Sequence, residues 1–382
     1  MPPRTTIFIA ALLIGLLHAY VGARVLPDLP VPLLAKLLGG AWLLLSWPLI
    51  PAALLARRLS HPWSDAINWV GMLAMGLFSS LLVLTAARDL VLLGCRIAGW
   101  QPPWLLPGSA AAVLLLALAV TALGFLNARR VARVVEVQVP VEGLPAALDG
   151  FTIVQISDIH VGPTIKHSYL ARIVERVNSL QPDAVAITGD LVDGTVRELA
   201  PHTEPLARLR AGHGSFFVTG NHEYYSGADP WIAELRRLGV RVLMNEHVVI
   251  ERDGHALVLA GVTDYSAHRF DEAHRSDPAR AIDGAPDRAG VRVLLAHQPR
   301  TAPAAAAAGF HLQLSGHTHG GQFWPWNLFV PMQQPYVAGL DRHQDMWIYT
   351  SRGTGYWGPP KRFGAPSEIT RIRLVRAGAG AT

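Results

Sequence analysis

The sequence predicts an α/β domain preceded by an α-helical transmembrane region. Three observations carry this reading. Four apolar stretches precede residue 130, each long enough to cross a hydrocarbon core of about 30 Å as a helix. Beyond residue 150, short runs rich in Val, Ile, Leu and Ala alternate with segments of helical periodicity. Five of those runs end on a carboxylate, amide or imidazole residue, and the carboxyl ends of strands are where open α/β sheets build their sites.

The apolar stretches cover residues 5–22, 33–56, 66–93 and 108–126. Trp42, Trp47, Trp63, Trp69, Trp100 and Trp104 lie in or beside them, where interfacial aromatic belts fall. The first stretch, after Arg4, also has the form of a signal peptide, but three further spans follow it. The second contains Gly39, Gly40, Pro48 and Pro51, so a kinked or shortened helix is expected there. Arg57 and Arg58 lie between spans two and three, Arg129, Arg130 and Arg133 follow span four, and Arg4 precedes span one. The opposite loops hold only Arg24, Lys36 and Arg96, so the positive-inside rule places both termini and the catalytic domain in the cytoplasm.

Composition agrees. The chain of 382 residues is 51% hydrophobic and only 16% charged, with the shortage of charge concentrated in the first third. Its net charge of +5 comes largely from arginines flanking the apolar segments, a pattern of membrane proteins rather than nucleic-acid binders. Cys95 is the single cysteine, which excludes an intramolecular disulfide and a zinc–thiolate site.

In residues 134–141, Val135, Val137 and Val139 alternate with Glu136 and Gln138, the pattern of a half-exposed strand. No long linker precedes it, so the expected division is a membrane region over 1–133 and a globular domain over 134–382. Strands are then expected at 151–157, 184–188, 215–219, 291–296 and 311–315, each leading into a candidate site residue. Helices are expected at 169–180 and 230–238. Asp253-Gly254 between two β-rich runs predicts a hairpin over 248–262, and 346–350 and 369–375 read as late strands.

The residues at the strand ends form a series: Asp158-Ile159-His160, Gly189-Asp190 with Asp193, Gly220-Asn221-His222-Glu223, His297, and Gly316-His317-Thr318-His319. Taken singly, Asp158 and His160 are ordinary turn residues, and Asp193 is an ordinary helix N-cap. Taken together, they supply the oxygen and nitrogen donors and the shareable carboxylate of a two-metal hydrolytic centre.

In this order the motifs resemble those of the calcineurin-like metallophosphoesterases, over residues 150–375. The resemblance implies a sandwich of two central mixed β-sheets flanked by helices. It implies one divalent metal on Asp158, His160, Asp190 and His319, and a second on Asp190, Asn221, His297 and His317, with Asp190 bridging the pair. Manganese, iron and zinc all suit such donors. It further implies hydrolysis of a phosphate ester or pyrophosphate by a metal-bridging hydroxide. His222 then contacts the phosphate and protonates the leaving group, and Asp193 orients His222. Gly194 stands where protein serine/threonine phosphatases usually carry an arginine, and this argues against a dedicated protein phosphatase.

The late segment 351–362 resembles the closing loop of the membrane-associated branch, which makes Arg352 and Arg362 candidates for substrate phosphate. Trp324, with Phe323 and Trp326, reads either as packing or as an apolar lip for an acyl chain or nucleobase. Proximity to a bilayer suits a lipid-linked or nucleotide substrate. Two other readings compete. A non-catalytic membrane scaffold or sensor that retained the fold would have lost ligands, yet no matched position is lost. A transporter would need more intramembrane charge than Arg88 and Asp89.

Overall fold

The computed structural model describes residues 4–56, 62–286 and 288–378, with side chains from residue 8 onward. Arg57 and Arg58, on which the expected sidedness partly rests, lie outside the described residues. The chain divides into two compact units, Met1–Arg129 with Gly358–Phe363, and Arg130–Trp357 with Gly364–Thr382.

The first unit holds four helices, α1 (Arg4–Val25), α2 (Leu33–Leu55), α3 (Trp63–Ile97) and α4 (Leu105–Arg129). All four are long and apolar enough to cross a membrane. The second runs helically through Pro48 and Pro51 and is not shortened by them. The third reaches 35 residues, beyond the expected 66–93, because its polar ends continue the helix outside the apolar run. Two of its charged residues, Arg88 and Asp89, are paired: buried Arg88 meets Asp28 at 2.5 Å and donates to Ser109, and Asp89 meets Arg24 at 2.8 Å and accepts from Tyr20. Pairing is the usual condition for charges in such helices.

The segment Gly358–Phe363 packs within this helical unit. Lys361 Nζ donates to the Gly76 carbonyl at 2.8 Å and the Ser80 hydroxyl at 2.5 Å. The Arg362 amide donates to Gly124 O, and Asn127 donates to Arg362 O. A side chain at Gly124 would overlap Lys361, so a glycine there lets the segment approach the helix closely.

In the second unit the described residues form twelve strands in two mixed six-stranded sheets. The first sheet contains β1 (Arg133–Val141), β2 (Thr152–Ile156), β3 (Ala184–Ile187), β4 (Ser215–Phe217), β5 (Arg241–Val242) and β12 (Glu368–Arg376), in the order β1-β12-β2-β3-β4-β5. The second contains β6 (Glu246–Arg252), β7 (His255–Gly261), β8 (Val291–Leu295), β9 (Leu312–Ser315), β10 (Gly339–His343) and β11 (Met346–Thr350), in the order β10-β11-β9-β8-β7-β6. Ile153, Ala186 and Phe216 of one sheet and Leu259, Leu295 and Leu314 of the other share one buried apolar core. This makes the unit a sheet-on-sheet sandwich.

Helices flank the sheets. α5 (His167–Ser179) buries Tyr169, Leu170, Ile173, Val174 and Val177 on one stripe, as its 3.6-residue period requires. The remaining helices are short: α6 (Val196–Thr203), α7 (Asn221–Ser226), α8 (Ala228–Arg237), α9 (Pro278–Ile282) and α10 (Ala302–Ala307).

The topology gathers the site. Strands β2, β3 and β4 are parallel neighbours in one sheet, and β8 and β9 are parallel neighbours in the other. The turns leaving these five strands carry Asp158, Asp190, Asn221, His297 and His317. Buried Gln155 of β2 donates to Ser315 O of β9 at 2.9 Å and ties the two sheets together beneath these turns.

Candidate metal centre

Among the described residues, three groups of His and Asp donors each fall within 4.8 Å: Asp158, His160 and His319; His160, Asp193 and His222; and Asp190, His297 and His317. His160 Nε2 lies 3.1 Å from His319 Nε2, which lies 3.4 Å from Asp158 Oδ1. His297 Nε2 lies 3.1 Å from Asp190 Oδ2 and 3.2 Å from His317 Nδ1. Six of the seven residues named as metal ligands, all but Asn221, fall in these groups, on buried or nearly buried side chains.

The outer hydrogen bonds orient the rings. His297 Nδ1 donates to Thr188 O at 2.7 Å, and His160 Nδ1 faces Asp193 Oδ1 at 3.2 Å. Each ring therefore turns its Nε2 toward the centre, as metal-ligating histidines do. Nitrogens and carboxylate oxygens then face each other at about 3 Å, and a proton or a cation must stand between them. Burial opposes charge on His297, yet the carboxylates of Asp190 and Asp158 outweigh it and hold its pKa well above the usual imidazole range. The same field would hold a cation.

Asn221 gives a second sign. Its Oδ1 is buried and has no hydrogen-bond partner. An orphaned buried acceptor costs about 1–3 kcal/mol, which a coordinated cation would offset. The donor set fits two divalent ions: carboxylates, imidazoles and one neutral amide, with no thiolate.

The backbone is bent to suit this arrangement. Asp158, His160, Asp190, His317 and His319 all have positive φ, between 50° and 69°. Non-glycine residues take that region rarely, and such strain gathers at functional sites. Gly220 and Gly316 permit the close approach. A Cβ on Gly220 would overlap Asp190 Oδ1, and one on Gly316 would overlap Asp158 Oδ2 and Ser157 Oγ.

His222 stands beside the donor groups. Its Nδ1 lies 2.5 Å from Asp193 Oδ1, its amide donates to Asp190 Oδ1, and its Nε2 is 3.9 Å from Asp190 Oδ2. Burial lowers its basicity, but Asp190 and Asp193 more than compensate and push its pKa up to about 9. Burial also pushes His317 down, and His297 adds to this, to about 3. Asp193 does not cap the next helix; Thr195 and Glu198 form a capping box there.

Glu223, given no chemistry by sequence reasoning, is fully buried and works as a staple. Its carboxylate accepts from the amides of Gly220, Asp190 and Leu191 at 2.6–3.0 Å, fastening the β3 turn to the β4 turn. Its place three residues after Gly220, at the start of α7, was the available signal.

The proposed substrate contacts are arranged differently from the ligands. Arg352 pairs with the buried Glu368 carboxylate at 2.9 Å, which occupies part of its guanidinium. Arg362 is fully buried and falls in the helical unit, where its amide donates to Gly124 O and its carbonyl accepts from Asn127. Among the described ring contacts of His222 are His160 at 4.6 Å and the half-exposed Tyr225 and Trp357 at 5.2 and 5.7 Å; Trp324, exposed to a similar degree, is not among them. Phe270 packs on Tyr225 at 5.6 Å. No local pattern links Phe270 or Trp357 to His222, whereas Tyr225 stands three residues after it in α7, a spacing that could have signalled the contact.

The model of the calcineurin-like phosphoesterase family matches residues 151–321. A transmembrane protein with metallophosphoesterase domain from Danio rerio is 40% identical over 274 residues, 69% of this chain and 62% of the relative. Its namesake from Bos taurus is 41% identical over 266 residues, 66% of this chain and 60% of the relative. The chain thus spans about three-fifths of the length of these two relatives. An uncharacterized metallophosphoesterase from Aquifex aeolicus is 31% identical over 248 residues, 64% of this chain and 93% of the relative. That near-complete overlap shows that the chain, whose two-sheet domain follows four helices long and apolar enough to cross a membrane, belongs to the calcineurin-like metallophosphoesterases.

Proposed function

We propose that this protein is a metal-dependent phosphoesterase working at a membrane, with a catalytic domain over residues 134–382 that hydrolyses a phosphate ester or pyrophosphate. The observation that carries the reading is the gathering of Asp158, His160 and His319, and of Asp190, His297 and His317, each within 4.8 Å, and the buried, unpartnered Asn221 Oδ1 agrees with it. Asp158, His160, Asp190 and His319 would hold one ion. Asp190, Asn221, His297 and His317 would hold the other. When bound, such ions supply Lewis-acid polarisation of the phosphoryl oxygens and activation of water. The neutral amide of Asn221 limits the negative charge around the pair, leaving the centre attractive to phosphate.

His222 serves as the proton donor to the leaving oxygen, and Asp193 steadies the cationic ring through Nδ1. The leaving group then meets the aromatic faces of Tyr225 and Trp357, which suits an apolar or planar group. A lipid-linked or nucleotide phosphate fits that description. Arg129, Arg130 and Arg133 after the fourth helix favour a cytoplasmic catalytic domain.

The test uses the purified full chain in lipid nanodiscs, stripped with a chelator and reloaded with manganese. It is assayed on a p-nitrophenyl monoester, a bis-p-nitrophenyl diester and a panel of lipid phosphates. Turnover of at least one substrate, lost with chelator and restored by metal, is expected. No turnover across the panel by the metal-loaded protein would favour the non-catalytic scaffold.

A further inference from the structure

Residues 320–340 contain no charged side chain. Within them, Trp324, Trp326, Leu328, Phe329 and Met332 are all exposed, Leu328 by 64% and Met332 by 81%. A surface segment this apolar is rare on a water-facing domain and marks a contact with lipid or protein. Phe323, by contrast, is buried and roots the loop.

The root is fastened at two telling places. The Gln322 side-chain amide exchanges two hydrogen bonds with the Trp357 backbone, at 2.8 and 2.9 Å. Phe323 pairs as an antiparallel bridge with Gly364. Trp357 and Gly364 are the residues at which the chain leaves for, and returns from, the segment Gly358–Phe363 of the helical unit. That segment hydrogen-bonds Gly124, within the last turns of α4. The apolar loop therefore springs from the part of the catalytic unit that is covalently nearest the membrane helices.

We propose that residues 324–332 seat in the interfacial layer of the bilayer that the four helices cross, as a second membrane contact of the catalytic unit. The composition fits this occupant. Tryptophan and phenylalanine favour the headgroup boundary, leucine and methionine supply apolar depth, and no charge has to be desolvated. The same chain carries four helices long and apolar enough to cross a bilayer. The loop begins shortly after His319, so lipid contact there would hold the donor groups close to the headgroup layer. The inference stands independently of the proposed hydrolytic activity.

The test uses the full chain with Cys95→Ser, reconstituted into phosphatidylcholine–phosphatidylglycerol vesicles. A nitroxide label is placed singly at Leu328→Cys, at Met332→Cys, or at Ala279→Cys, an exposed position on α9. Collision rates with oxygen, which concentrates in lipid, and with a water-soluble nickel chelate are read by electron paramagnetic resonance. The oxygen-to-nickel ratio should be severalfold higher at 328 and 332 than at 279. Equal ratios at all three positions would place the loop in water and overturn the proposal. Exclusion of both reagents at 328 and 332 would overturn it too, in favour of a protein partner such as a second copy of this chain.

Discussion

His222 and Glu223 are adjacent and do opposite kinds of work. One faces the reaction and the other holds the turns that build it. His222→Ala should lower turnover by about 10²–10⁴-fold, the usual worth of a positioned acid, with metal content unchanged. The loss should shrink for substrates with good leaving groups; loss of metal instead would make His222 a ligand. Glu223→Gln replaces one acceptor oxygen with a donor that faces backbone N–H groups, at a cost of about 1–3 kcal/mol. A lower Tm with weakened metal retention is expected, and an unchanged Tm would contradict the staple. At this scale the sequence was readable wherever a motif was local. The donor residues the structure brings together all lie in short motifs or directly after β-rich runs. Phe270 and Trp357 were not readable, because residues so far from His222 in the chain meet it or its neighbours only through the fold; Tyr225 becomes its neighbour at the three-residue spacing of α7, a helix too short to announce itself. Trp324 reads from sequence either as packing or as an apolar lip; the structure leaves its side chain half-exposed, while Tyr225 and Trp357 are the aromatic side chains on His222.

The elements that present these residues are short parallel strands followed by abrupt turns. Continuous buried runs made β2, β3, β8 and β9 legible, and the period of α5 made that helix legible. Strand β10 was missed because Leu340-Asp341-Arg342 shows no alternation: it is an edge strand, partly to fully exposed. Strand β5 has two residues and α7 six, too few to leave a periodic signal. Positive φ at five donor residues was equally hidden, since no side chain announces it. The turn glycines are the exposed weakness of this design. Gly220→Ala would drive a Cβ into Asp190 Oδ1, so it should lower Tm and strip metal together. Gly212→Ala, where the added Cβ finds 3.5 Å of clearance, serves as the control and should change neither. Retention of metal by the Gly220 variant would mean that the β3 and β4 turns have room to separate.

For the molecule as a whole, membrane anchoring was legible from hydropathy, since four helices longer than a bilayer core leave few alternatives. The return of Gly358–Phe363 to the helical unit was not legible, because no local pattern announces that basic residues such as Lys361 and Arg362 are buried. Sidedness has a direct test. A C-terminal reporter active only in the cytoplasm should give signal, and signal from a reporter active only outside would reverse the arginine argument. The account rests most heavily on one carboxylate serving two metal ions. Metal content after desalting and hydrolysis should be measured on the same samples of wild type and Asp190→Asn, in nanodiscs. The account predicts about two ions per wild-type chain, and joint loss of both ions and of turnover in the variant, because a bridging ligand serves both positions. An Asp190→Asn protein that kept both ions and hydrolysed normally would contradict it.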